Sequence, residues 1–151
     1  MSGYSGEGVR GLFLGILIPS LYLIPLVAVY FLPKDFGFGH RWLVYVGLAC
    51  AALGLIVWIA GFASLGKRLA VFPGAESLAT GGIYRWIRHP VYVGISLNLL
   101  GMFLACGSAL GLAYLALVVL PLNRFRAKRE EQALIENFGD AYRLYRDRTF
   151  F

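Results

Sequence analysis

Apolar residues run without a charge from 11 to 32, resume from 42 to 66 and continue again from 90 to 123, with charged residues confined to the gaps and the carboxyl end. At about 1.5 Å rise per residue, a helix over either of the first two runs crosses about 30 Å of bilayer hydrocarbon. Pro19 and Pro25 predict a kink in the first, which lipid-embedded helices tolerate when neighbours satisfy the released carbonyls. That run exceeds the apolar core of a removable signal and no small-residue cleavage site follows, so it reads as a membrane helix. The third run would be about 50 Å long as one helix, too long for a single crossing. Gly107-Ser108 and Gly111 mark the expected break. The pattern therefore predicts an all-α integral membrane protein with about four transmembrane helices, at 11–32, 42–66, 90–106 and 108–122. The last two form a short hairpin, a polar loop occupies 67–89, and an amphipathic helical tail fills 123–151. Small residues at Gly94, Ser96, Gly101, Ala105, Gly107, Gly111 and Ala113 are expected to let the hairpin helices approach closely.

Composition supports this reading. The 151 residues are 59% hydrophobic and 15% charged, against about 45–50% and about 25% in soluble domains. A single small core cannot hide that much apolar surface. The net charge of +6 does not mark a nucleic-acid face, because the bases sit at the ends of apolar runs. Cys50 and Cys106 match no metal or redox spacing and read as buried small hydrophobes. Lys67, Arg68, Arg85 and Arg88 lie in the second loop and Arg124, Arg126, Lys128, Arg129, Arg143, Arg146 and Arg148 in the tail, against Lys34 and Arg41 in the first loop. The positive-inside rule then puts the amino terminus, the second loop and the tail in the cytoplasm.

Two segments carry candidate chemistry. The first is Tyr84-Arg85-Trp86-Ile87-Arg88-His89-Pro90-Val91-Tyr92-Val93-Gly94. Pro90 suits the first helical turn and pushes His89 out of helical geometry, so Arg88 and His89 stand at a helix mouth whose N–H groups favour an anion. Gly94 would permit close approach of a ligand or another helix. Arginine and aromatics at a helix end are also what an interfacial belt contains. The second segment separates these readings. There Glu130-Glu131 precedes Leu134, Phe138, Tyr142 and Tyr145, spaced for one helical stripe. Acids interleave with the bases too evenly for a lipid-binding patch.

Together these motifs resemble the isoprenylcysteine carboxyl methyltransferase family, from about Leu78 onward, and related membrane methyltransferases acting on lipid amines or thiols. The resemblance implies S-adenosylmethionine as cofactor. Tyr84, Arg88, His89, Tyr92 and Gly94 would line its pocket from one side, Glu130 and Glu131 from the other. It further implies in-line methyl transfer to a lipophilic or small acceptor, a carboxylate, lipid amine or thiol. Glu131 or His89 would deprotonate an amine or thiol acceptor, and Arg148 or Arg146 would hold a carboxylate. The expected partners are the bilayer and this acceptor, with no metal and no nucleic acid. Two other readings are an NADPH-dependent enzyme like the sterol reductases and a non-catalytic membrane subunit.

Overall fold

A computed structural model describes residues 40–65 and 78–150, with positions 22, 24, 25, 27, 29, 31–34 and 36 before them. The span expected over 11–32 therefore lies largely outside the described residues, as do residues 66–77 of the second loop. Helix α1 is Arg41–Leu65, α2 is Pro90–Cys106, α3 is Ala109–Phe138 and α4 is Asp140–Asp147. A short 3-10 turn, Gly82–Arg85, lies between α1 and α2. Among the described residues no strand occurs, only one isolated bridge pairing Ile87 with Phe150.

Two of these helices, Arg41–Ser64 and Ala109–Phe138, are long and apolar enough to cross a membrane, and Pro90–Cys106 is a shorter apolar helix. Along α1, Trp42, Tyr45, Leu48, Leu53, Ile56 and Ile59 point outward and are more than half exposed. A continuous apolar exterior of this kind fits hydrocarbon and not water. Cys50 and Cys106 are only half-buried, and the Cys50 thiol donates to the Leu97 carbonyl at 3.5 Å.

The expected hairpin forms at the expected place. Gly107 ends α2 in the left-handed region, at φ 66°, and Ser108 caps α3 by accepting from the Gly111 N–H at 3.2 Å. A side chain at Gly107 would also strike the Phe36 carbonyl, whose residue donates its own N–H to the Gly107 oxygen. Composition changes after Leu122, yet the helix does not end there. It continues to Phe138, with a π-helical segment at Leu115–Val119. Pro121 stands two residues beyond that segment, and a proline without an N–H is commonly accommodated by such local widening.

Packing corrects the role expected of the small residues. Gly94, Gly101 and Ala105 meet α1 rather than the other hairpin arm. A Cβ at Gly101 would lie 2.2 Å from the Ala51 nitrogen, one at Gly94 2.5 Å from the Trp58 nitrogen, and one at Gly47 2.5 Å from the Ala105 nitrogen. Gly54 meets Asn98 in the same way, 2.3 Å from its nitrogen. Gly47, Gly54 and Gly61 recur every seventh residue, as do Gly94 and Gly101. A seven-residue repeat keeps nearly one face toward a neighbour, so two antiparallel helices meet backbone to backbone along their length. Asn98 adds a hydrogen bond from Nδ2 to the Ala51 carbonyl at 2.9 Å. Gly111 does serve the hairpin as expected, under the Phe103 ring, and Ser96 meets Asn123 on the other arm.

Gly101→Leu is expected to destabilise the protein by about 2 kcal/mol or more, because backbone on the facing helix cannot yield as a side chain would. Gly81→Ala, where nothing lies within 4 Å, is expected to be near neutral. Thermal unfolding of the detergent-purified variants checks both, and equal Tm values would contradict the seam.

Candidate functional site

Pro90 opens α2, and His89 before it adopts φ −124°, ψ 58° outside helical geometry. The seam against α1 fixes this helix mouth in place. On α3, Glu130 and Glu131 reach the same point from the far side. His89 Nε2 lies 3.2 Å from Glu131 Oε1 and His89 Nδ1 3.6 Å from Glu130 Oε2, so one imidazole stands between two carboxylates. Arg88 Nε lies 3.5 Å from the same Glu131 oxygen. Tyr92, one turn into α2, donates its hydroxyl to Glu130 and packs its ring on His89, with centroids 5.7 Å apart. Arg126 covers the Tyr92 ring at 5.3 Å. Below this cluster Asn123, almost fully buried, donates to Ser96 Oγ at 2.9 Å and accepts from the Tyr22 hydroxyl. Polar groups at this depth need such internal partners because lipid offers none.

The helices line an open cleft of about 600 Å³ beside the cluster, within the range of small-molecule sites. Arg88, His89, Glu131, Lys128 and Arg124 line its polar end, whereas Leu97, Leu100, Leu115 and Leu120 line the other. The polarity gradient matches an amphiphile, with its head among charges and its tail among leucines.

The carboxyl-terminal segment straps onto the second loop. Gly139, at φ 53° and ψ −122°, breaks the helix between Phe138 and Asp140. The single stripe expected from Leu134 to Tyr145 is therefore split between α3 and α4. Tyr145 donates to the Tyr84 carbonyl at 2.7 Å, Arg88 to the Arg146 carbonyl at 3.3 Å, and the Phe150 N–H to the Trp86 carbonyl at 2.9 Å. Tyr142 is buried against this junction. Its hydroxyl and Arg88 Nε are enclosed without a hydrogen-bond partner among the described residues. Burial pushes the Tyr142 phenol up to about 12, helped by the negative charge of Glu131. Burial likewise raises Tyr145 to about 12 and, with the Glu130 charge, Tyr84 to about 12.

Of the expected site residues, the structure gathers Arg88, His89, Tyr92, Glu130 and Glu131 into one cluster. It places three elsewhere. Tyr84 supports α4 through its carbonyl and is not on the cleft wall. Gly94 faces α1, where its missing Cβ is consumed by helix packing. Arg148 is exposed beyond α4, and its backbone N–H closes the last turn onto Tyr145, so its side chain is not brought to the cleft. Sequence reading missed Ser96, Asn123, Arg124 and Lys128 as cleft residues. A usable signal existed for the last two, since Leu120, Arg124, Lys128 and Glu131 fall at spacings of four, four and three.

Comparison with known proteins adds an independent finding. A family model described as phospholipid methyltransferase matches residues 42–141. The chain is similar to protein-S-isoprenylcysteine O-methyltransferases: that of Homo sapiens is 39% identical over 75 residues, 49% of this chain and 26% of that protein. The Schizosaccharomyces pombe protein is 37% identical over 72 residues, 48% of this chain and 30% of its own. The Mus musculus protein is 33% identical over 114 residues, 72% of this chain and 40% of its own. The chain thus spans well under half the length of these curated relatives.

The phenols yield a pH expectation. Neutral in the folded protein to about pH 12, they ionise near pH 10 when unfolded. Their contribution is intact below pH 10 and lost as pH rises from 10 to 12. Thermal unfolding across that window should show Tm falling, with a shallower fall in Tyr142→Phe. Because that hydroxyl is unpartnered, Tyr142→Phe should match or exceed wild-type stability at pH 7 by up to about 1 kcal/mol. A marked drop in Tm would show a bond at that oxygen.

Proposed function

Because this chain belongs to the phospholipid methyltransferase family, we propose that it is an integral membrane methyltransferase using S-adenosylmethionine and acting on a lipophilic, isoprenylcysteine-like acceptor. The observation that carries this reading is the meeting of Arg88-His89 with Glu130-Glu131 at the polar end of a cleft whose other end is apolar. Four crossings, with the amino terminus, second loop and tail in the cytoplasm, belong to the same proposal. It rests on the distribution of Lys and Arg.

The residues present suit the cofactor. Its carboxylate requires cationic or N–H donors, which Arg88, His89 and the mouth of α2 supply. Its ammonium and ribose hydroxyls require acceptors, which Glu130 and Glu131 supply. Arg88 Nε and the Tyr142 hydroxyl, enclosed without hydrogen bonds, are donors still to be used. When bound, S-adenosylmethionine offers an electrophilic methyl group on a sulfonium. The chain's own tasks are then to align the acceptor behind that group and to keep water out. A carboxylate acceptor is ionised at neutral pH and needs no base. An amine or thiol acceptor would lose its proton to Glu131 or His89, the groups within reach of the cleft. Leu97, Leu100, Leu115 and Leu120 exclude water and hold the hydrocarbon of the acceptor.

S-adenosylhomocysteine titrated into detergent-purified protein tests the pocket. His89→Ala and Glu131→Gln are each expected to weaken binding about tenfold or more, the cost of a charge-assisted hydrogen bond. Arg148→Ala should bind like wild type. Unchanged affinity in both site variants would rule the pocket out.

A further inference from the structure

The seam between α1 and α2 strands one polar atom. Trp58 falls between Gly54 and Gly61 on α1, and a Cβ at Gly94 of α2 would lie 2.5 Å from its backbone nitrogen. Backbones this close leave no room for an indole between them. The Trp58 ring instead borders a small cavity of about 10 Å³ that it shares with Tyr22, Ile95, Asn98 and Leu99. Its Nε1 is enclosed without a hydrogen-bond partner among the described residues. An indole N–H is a donor only, and leaving it unpaired away from water is costly.

The cavity has the room that one water molecule needs, and its other two polar residues carry complementary groups. Asn98 uses Nδ2 on the Ala51 carbonyl at 2.9 Å, and its Oδ1 accepts no hydrogen bond among the described residues. Tyr22 donates its hydroxyl proton to Asn123, which leaves lone pairs on the phenolic oxygen. One donor lacking an acceptor and two acceptors with spare capacity thus belong to residues around one cavity. We infer that a single water molecule is bound there, accepting from Trp58 Nε1 and donating to Asn98 Oδ1 and the Tyr22 oxygen. Three bonds are the usual number for a buried water, and polar partners are what separate a hydrated cavity from a dry one. Lipid can supply none of these bonds. The water completes a row that runs from Trp58 on α1 through Tyr22 and Asn123 to Ser96 on α2, where it reaches the cleft wall. It ties Tyr22 to the helix pair that carries the site. The inference stands without the methyltransferase reading.

The test is nuclear magnetic resonance on the detergent-purified chain carrying isotope-labelled tryptophan. Trp58→Phe identifies which of the three indole signals belongs to Trp58. In wild type, cross-relaxation between water and that indole proton is expected, with opposite signs in laboratory-frame and rotating-frame spectra, as a water held by the protein gives. The peak should persist in Tyr22→Phe, which removes the phenolic proton through which bulk water could relay and leaves two partners for the bound molecule. It should disappear in Ile95→Phe, whose larger side chain fills the cavity, while the Trp58 signal keeps its folded position. Absence of the peak in wild type, its loss in Tyr22→Phe, or its survival in Ile95→Phe with the Trp58 signal intact would each overturn the site. If Ile95→Phe does not fold, the wild-type and Tyr22→Phe spectra still decide.

Discussion

Backbone-to-backbone contact between α1 and α2 is the constraint on which the rest depends. Lipid gives two apolar helices no hydrophobic reason to associate, so the attraction must come from closeness. Gly47, Gly54, Gly94 and Gly101 provide it by leaving space that no side chain could share with the facing backbone. The consequence reaches the site directly. With α2 locked along α1, its first turn is fixed, and Pro90 holds Arg88 and His89 at the helix mouth in one orientation. The hairpin through Gly107 and Ser108 then returns α3 along the same helix. Only because both arms are rigid can Glu130 and Glu131 meet His89 at short distance.

The resulting cluster is a balance of charges in a place where imbalance is costly. Arg88, His89, Tyr92, Glu130 and Glu131 are drawn together by charge and hydrogen bonding, although Arg88 Nε is left without a hydrogen bond, and a neutral imidazole can donate to only one of two carboxylate neighbours. Such a cluster keeps its polar groups oriented toward one end of the cleft. The bonds from Tyr145 to Tyr84 and from Phe150 to Trp86 tie α4 and the last residues to the loop that carries Arg88. The two ends of the described helical unit are thus joined around the site, with the burial of Tyr142 as the packing term that holds them.

Much of this was legible in the sequence. The bounds of α2 follow from an uncharged run that begins at a proline and ends at a glycine, both local signals. The membership of Arg88, His89, Tyr92, Glu130 and Glu131 followed from residue chemistry at helix ends and from motif resemblance. Three expected placements differ from the structure for one shared reason. Gly94 was assigned to the pocket, Arg148 to the acceptor and the small residues to the hairpin, and each assignment required knowing which face of a helix meets which neighbour. Glycine at position 94 is compatible with a ligand or with a helix, and only the rotation of α2 about its axis chooses between them. The extension of α3 to Phe138 escaped because a change in composition at Leu122 marks a change of solvent and not an end of hydrogen bonding.

What the sequence determined by itself is therefore one-dimensional: the helical lengths, the turn at Gly107, the non-helical backbone at His89, the apolar character that demands lipid, and the residue types available for chemistry. These depend on neighbours within a turn or two. The tertiary structure decided the pairings: glycines onto α1, His89 between two acids forty residues away, Arg124 and Lys128 into the cleft, and Arg148 out of it. Such pairings depend on the rotation and offset of whole helices, quantities set by the close fit of distant backbones and by the need to satisfy every polar group within the membrane.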